Sequence, residues 1–207
     1  MVKGLLASGQ RVVLMPLFKS FADFFVMTYI SHTQGLPPNF TFGCYEDTPR
    51  IKLFDAWLNR CGYIFSRRAQ DQSLSSNYTN SALLRELIDN NQLTTVFQNG
   101  FRYRSGKLSR KMSPDMSIRW LLDAFKSFSK VSGKNMVIVP VVISYDRKFE
   151  SGNIATEMVS GSKRDYTMIT SMHKLYSTEE DSLGQVYVKY LDPVNVADWV
   201  KENTIQA

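Results

Sequence analysis

Residues 135–144 read Asn-Met-Val-Ile-Val-Pro-Val-Val-Ile-Ser, a nearly unbroken apolar run rich in β-branched side chains. Such a short run is a strand, and its lack of polar alternation marks it as central, covered on both faces. Pro140 has no N–H to give to a ladder, so it needs a special place within that strand. Working outward, four more apolar runs have strand character: 11–15, ended by Pro16, then 39–43, 62–66 and 93–97. A late strand is expected over 185–191. Helical patterns lie between them. Ser20 is an N-cap for a helix through Ser31, with Phe24, Met27, Tyr29 and Ile30 on its apolar side. A short helix is expected over 51–60. Another covers 81–91 through Leu83, Leu84, Leu87 and Ile88. A fourth covers 113–130 and a last one 196–202. Residues 70–78 read as a polar loop, and 152–181 give no clear pattern. Strands alternating with helices make an α/β domain around a central sheet. With no repeat and no boundary, residues 1–207 read as one domain.

The strand at 93–97 runs into Gln98-Asn99-Gly100-Phe101-Arg102-Tyr103-Arg104-Ser105-Gly106-Lys107. Three cations, Arg102, Arg104 and Lys107, thus follow a strand's carboxyl end, where ligands of α/β sheets bind. Guanidinium groups suit a phosphate because each can bond two of its oxygens. Taken alone, the stretch fits a solvated basic loop equally well. The strand at 62–66 also ends in arginines, Arg67 and Arg68.

Composition narrows the function classes. The 207 residues are 43% hydrophobic and 21% charged, ordinary for a folded domain. Mean hydropathy is −0.22, and no apolar run approaches the roughly 20 residues of a membrane span. Formal net charge is +6, which suits a phosphate ligand or an anionic membrane surface. No RNA-binding signature or basic stripe is present, so no nucleic acid is expected. Cys44 and Cys61 imply neither a disulfide framework nor a metal site, and with only His32 and His173 beside them no metal is expected. A reducing, intracellular setting is the default, and the first ten residues read as too short and too weakly charged for a leader peptide.

Four stretches in chain order resemble the glycerol-phosphate acyltransferase family, specifically its glycerol-3-phosphate and dihydroxyacetone-phosphate branch. The family's His-x-x-x-x-Asp block aligns with Phe18-Lys19-Ser20-Phe21-Ala22-Asp23. Its second block aligns with Gly62-Tyr63-Ile64-Phe65-Ser66-Arg67-Arg68. Its Phe-x-Glu-Gly-Thr-Arg-Ser-Arg-Ser-Gly-Lys block aligns with Phe97 to Lys107. Its Val-Pro-Val-x-Ile-x-Tyr-Asp block is intact from Val139 to Asp146. Lesser echoes are Gly35-Leu36-Pro37-Pro38, Glu46-Asp47 and Gly184-Gln185-Val186-Tyr187-Val188. The resemblance spans roughly residues 8–200 and implies a mixed central sheet flanked by helices. It also implies phosphate binding by Arg67, Arg102, Arg104 and Lys107, and a pocket lined by Phe18, Asn99, Gly100, Phe101 and Pro140.

The departures fall on the chemistry. In the family the block's His takes the proton of the glycerol hydroxyl as that oxygen attacks an acyl thioester, and the Asp orients the imidazole. Here the His is Phe18, which cannot accept a proton, so Asp23 is a remnant of a catalytic pair. The family's Glu is Asn99, which keeps hydrogen bonds and loses charge. Its Thr is Phe101. Lys19 would need a depressed pKa to act as base; His32 lies more than two helical turns past Asp23, and His173 falls in the unpatterned region.

Two functions follow from the resemblance and its departures. One is a non-catalytic acyltransferase-fold protein, a pseudoenzyme serving as an accessory subunit among the proteins of a larger assembly. That assembly would be peripheral to a membrane, with a mitochondrial one in view, and the domain would still hold a phospholipid or phosphate group. The other is an active acyltransferase with a replaced general base. It would move an acyl group from acyl-CoA, a co-substrate only in this case, to glycerol 3-phosphate, dihydroxyacetone phosphate or a lysophospholipid. No cofactor is expected in either. A lipid or anion sensor, binding without turnover, is a variant of the first.

Overall fold

A computed structural model describes residues 1–20, 22–44, 58–66, 74–97, 136–148, 151–160 and 184–204, with Ala56, Leu121, Phe125 and Lys126 as isolated positions. Among these, the strands are β1 (Arg11–Pro16), β2 (Asn39–Cys44), β3 (Tyr63–Ser66), β4 (Leu93–Val96), β5 (Met136–Tyr145), β6 (Val186–Tyr190) and β7 (Val194–Asn195). The helices are α1 (Val2–Ala7), α2 (Ala22–Thr33), α3 (Leu74–Asp89), α4 (Ser151–Ser160) and α5 (Val196–Thr204).

The strands form a single mixed sheet in the order β3-β2-β4-β1-β5-β6, with β7 also paired to β5. Strands β1 to β5 are mutually parallel, while β6 and β7 run antiparallel to β5. This is the mixed α/β architecture expected. All five parallel strands therefore present their carboxyl ends along the same edge, where such sheets place their ligands. β1 and β5 pair from Arg11↔Met136 to Pro16↔Val141, and β5 continues to Tyr145 beyond the end of β1. That overhang sets the geometry of the site.

Each strand of the sheet centre is buried on both faces. Val12, Val13 and Leu14 of β1 are at most 1% exposed, and β4 is buried throughout, including Thr94 and Thr95. One face, formed by Val12, Leu14, Val137, Val139, Val141 and Ile143, packs with Val2 of α1, Phe24 and Met27 of α2, and Leu58. The other, with Val13, Met136 and Ile138, packs with Leu84 and Ile88 of α3, Leu121 and Val196. A polar chain crosses the first layer. Thr95 donates its hydroxyl to Asn39 Oδ1 at 2.9 Å, and Asn39 Nδ2 donates to Ser31 Oγ at 3.4 Å. These bonds satisfy polar groups whose burial would otherwise be costly.

The special place of Pro140 is visible in the pairing. β7 pairs with Val137 and Ile138, and β6 pairs from Val141 onward. Pro140 lies in the gap, where its carbonyl accepts the Leu191 N–H at 2.9 Å. The missing N–H faces the same side, toward the 191–193 connection, where no ladder partner is needed.

Several expectations need correction. The helix expected over 81–91 begins at Leu74 and ends at Asp89, so residues 74–78 are helical. The Ser and Asn residues that hid the apolar period there belong to helical turns. Within that helix Leu83 is 37% exposed, while Leu84 and Ile88 face the sheet. Tyr29 of α2 is 69% exposed, because at about 100° per residue it lies on the far side from Met27. Helices α1 and α4 and strand β7 carried no legible signal. Most of the helices expected over 51–60 and 113–130 lies outside the described residues.

The junction between β5 and β6 is tightly specified. Asp146 N–H donates to the Gln185 carbonyl at 3.1 Å, and Asp146 Oδ2 accepts the Gln185 N–H at 2.9 Å. Gly184 has φ +69°, and a Cβ there would lie 2.7 Å from the Asp146 Cβ. Gly184→Ala should therefore lower stability by about 1–3 kcal/mol, measured by denaturant unfolding. Adding Asp146→Gly, which removes that Cβ, should relieve the collision and leave the backbone strain at position 184.

Candidate functional site

The site is assembled where β1 ends and α2 begins. After Pro16 the chain turns through residues 17–20, and Ser20 caps the helix. Its hydroxyl oxygen accepts the Ala22 N–H at 3.1 Å, and its carbonyl accepts the Asp23 N–H at 3.0 Å. Asp23, in the first turn of α2, reaches back. Its Oδ2 accepts the backbone N–H of Ser20 at 2.8 Å and of Lys19 at 2.6 Å. This reciprocal arrangement satisfies amides that a helix start leaves without partners. The negative carboxylate also sits at the positive end of the helix.

The remaining oxygen, Asp23 Oδ1, accepts the phenolic O–H of Tyr145 in a short hydrogen bond. The overhang of β5 carries Tyr145 there, and it lies on the same alternating face as Val141 and Ile143. Asp23 is completely buried. Burial raises its pKa above the ordinary 3.8, and the bonds from Tyr145, Lys19 and Ser20 and the positive charge of Lys148 offset part of that rise. Lys19 directs its ammonium to the Ile143 carbonyl at 3.2 Å, which makes it a donor tying the turn to β5.

Phe18, expected from the resemblance to stand where the family carries its base, is 3% exposed and is packed among aromatic rings. Its ring centroid is 5.1 Å from that of Phe24 and 5.5 Å from that of Phe97, the latter edge-on. Phe24 and Phe97 meet at 4.6 Å, and Tyr63 joins Phe24 at 5.6 Å. Tyr63 shares a hydrogen bond with Thr28 Oγ1 at 3.3 Å. Phe18, Tyr63 and Phe97 belong to three of the four aligned stretches, so the sheet edge brings these stretches together through their apolar side chains.

Of the expected site residues, the structure joins Phe18 and Asp23 in one turn. Pro140 occupies the alternate face of β5, with Met136 and Ile138, opposite the face from which Phe18 packs. Arg67, Asn99, Gly100, Phe101, Arg102, Arg104 and Lys107 lie outside the described residues, as does His173. His32 is exposed in the last turn of α2. Sequence reasoning missed Tyr145, Lys148, Phe24 and Phe97 as partners of the site. Phe97 and Tyr145 stand in aligned stretches at strand carboxyl ends and Phe24 on the apolar side of its helix, and no local pattern says that these residues meet.

Comparison with known proteins identifies the family of the chain. A family model described as Acyltransferase matches residues 2–144. The glycerol-3-phosphate acyltransferase of Pseudomonas entomophila (strain L48) is 26% identical over 198 residues, covering 95% of this chain and 23% of that protein. That of Pseudomonas paraeruginosa (strain DSM 24068 / PA7) is 27% identical over 195 residues, covering 92% and 22%. The chain thus spans about a quarter of the length of these relatives.

Two outcomes test the site. Because Asp23 has a raised pKa in the folded state, the unfolded chain ionises it first. Its contribution to stability is therefore greatest below the ordinary carboxylate range and is lost as pH rises through the folded value. The stability of the native chain relative to Asp23→Asn should fall as pH rises above the ordinary carboxylate range in parallel denaturant titrations. Tyr145→Phe removes a donor to a buried carboxylate and should cost about 1.5–3 kcal/mol at neutral pH.

Proposed function

The chain belongs to the acyltransferase family, and from that membership we propose that it holds a glycerol-phosphate-type group without transferring an acyl chain to it. The observation that carries this proposal is Phe18. A general base must present a lone pair to the substrate hydroxyl. At this position there is a phenyl ring, 3% exposed and enclosed by Phe24 and Phe97. The carboxylate that would orient an imidazole is occupied by Tyr145, Ser20 and Lys19. Loss of a general base alone costs about 10²–10⁴ in rate. The phosphate contacts proposed for Arg67, Arg102, Arg104 and Lys107 need no proton transfer and survive that loss. An accessory role follows, in a protein assembly at an anionic membrane surface, mitochondrial in our proposal, to which a net charge of +6 is suited.

A second reading is active acyl transfer from acyl-CoA by a replaced base. The relatives' own names favour it, since proteins called glycerol-3-phosphate acyltransferase align along 95% of this chain. One experiment separates the two. The native chain and a Phe18→His/Asn99→Glu variant are assayed for acyl transfer to glycerol 3-phosphate, and for its binding by calorimetry. We expect binding without turnover in the native chain, weakened about tenfold by Arg102→Ala, the scale of a lost charge-assisted contact. Gain of turnover in the double variant would show that the pocket persists. Turnover in the native chain, abolished by Asp23→Ala, would overturn the proposal in favour of the second reading.

A further inference from the structure

A second site lies on the same sheet face, away from the residues that hold Asp23. Between α1, the end of α2 and β6 is a groove of about 470 Å³, within the range of small-molecule sites. The apolar part of its lining is Val2 from α1, Ile30 and Leu36 from and after α2, and Val188 from β6. Three lining residues carry polar groups: Lys3, Gln34 and Tyr190.

Tyr190 is the informative one. Its Oη is buried and makes no hydrogen bond among the described residues. Buried hydroxyls are nearly always paired, so an unpaired one beside a groove marks a place for an incoming polar atom. Burial also pushes this phenol's pKa up, keeping it protonated and able to donate. Lys3 Nζ lies over Gly35, 3.4 Å from where a Cβ would be, at the C-terminal end of α2. That end of a helix carries partial negative charge, which holds the ammonium at the groove. Lysine donates and cannot accept. Apolar side chains beside a cation and a spare phenolic donor suit a ligand with an apolar body and an anionic, hydrogen-bond-accepting head.

We propose that this groove binds a single-tailed anionic amphiphile, with its head on Lys3 and Tyr190 Oη and its tail along Val2, Ile30, Leu36 and Val188. None of these residues takes part in the Asp23–Phe18 site, so the inference stands apart from the proposed function.

The test is calorimetric titration of the 207-residue chain with dodecanoate below its micellar range, with dodecyltrimethylammonium as the control. Saturable one-to-one binding of dodecanoate and none of the cation is expected. Val188→Trp should abolish binding by filling the groove, and Lys3→Glu should weaken it by about tenfold or more, the scale of losing a charge-assisted contact. Tyr190→Phe should weaken it about two- to tenfold, the scale of one hydrogen bond. The same variant should raise the melting temperature of the unliganded chain, because it removes an unpaired buried hydroxyl. Glycerol 3-phosphate binding should be unchanged by Lys3→Glu, which separates failure here from failure of the proposed function. No saturable binding would overturn the inference, as would equal binding of the cationic amphiphile. Dodecanoate binding indifferent to both Val188→Trp and Lys3→Glu would also overturn it.

Discussion

A buried carboxylate organises the centre of this molecule. Asp23 has no solvent exposure, and an ionised group there is tolerable only when hydrogen-bonded on all sides. Its partners come from two places far apart in the chain: the turn before α2, through Lys19 and Ser20, and the end of β5, through Tyr145. The cost of leaving that charge unpaired links the two segments. Lys19 reinforces the link by reaching the Ile143 carbonyl. The turn at the end of β1 and the overhang of β5 are therefore one structural unit, although 122 residues separate Asp23 from Tyr145.

Beside this polar centre sits an apolar one. Phe18, Phe24, Phe97 and Tyr63 meet at tilted or edge-on angles with centroids 4.6–5.6 Å apart, the geometry aromatic quadrupoles prefer. Each such pair contributes about 0.5–1.5 kcal/mol beyond area burial. A ring at position 18 thus gains packing where an imidazole would have kept a polar face. The fold can retain the carboxylate because its hydrogen bonds serve the helix start and the strand overhang, independently of any imidazole. The acyltransferase frame persists around this ring, and our proposed function rests on what stands at this position.

The strands were legible because burial demands apolar, β-branched runs. The strong run at 135–144 became β5, and 11–15 became β1 with Pro16 included. Ser20 was recognisable as a cap from its type and place, and its bonds agree. Where polar residues dominate, the period disappears, and α3 starts at Leu74 within a stretch that reads as loop. Tyr29 shows the converse: an apolar side chain in a helix reads as core although its angle turns it outward.

The amino-acid sequence by itself determined the α/β class and the approximate strands, because these depend on local pattern and residue chemistry. It could name Asp23 as a site residue and leave it with nothing to orient. Only the tertiary structure decided that Tyr145, Lys19 and Ser20 satisfy it. That outcome depends on the parallel register of β1 with β5, which ends at Pro16↔Val141 and leaves Tyr145 projecting past it. The division of β5 into two faces, with Pro140 apart from Phe18, was likewise set by the three-dimensional pairing. Register and facing arise from contacts between segments distant in the chain, and no local pattern encodes which residues will meet.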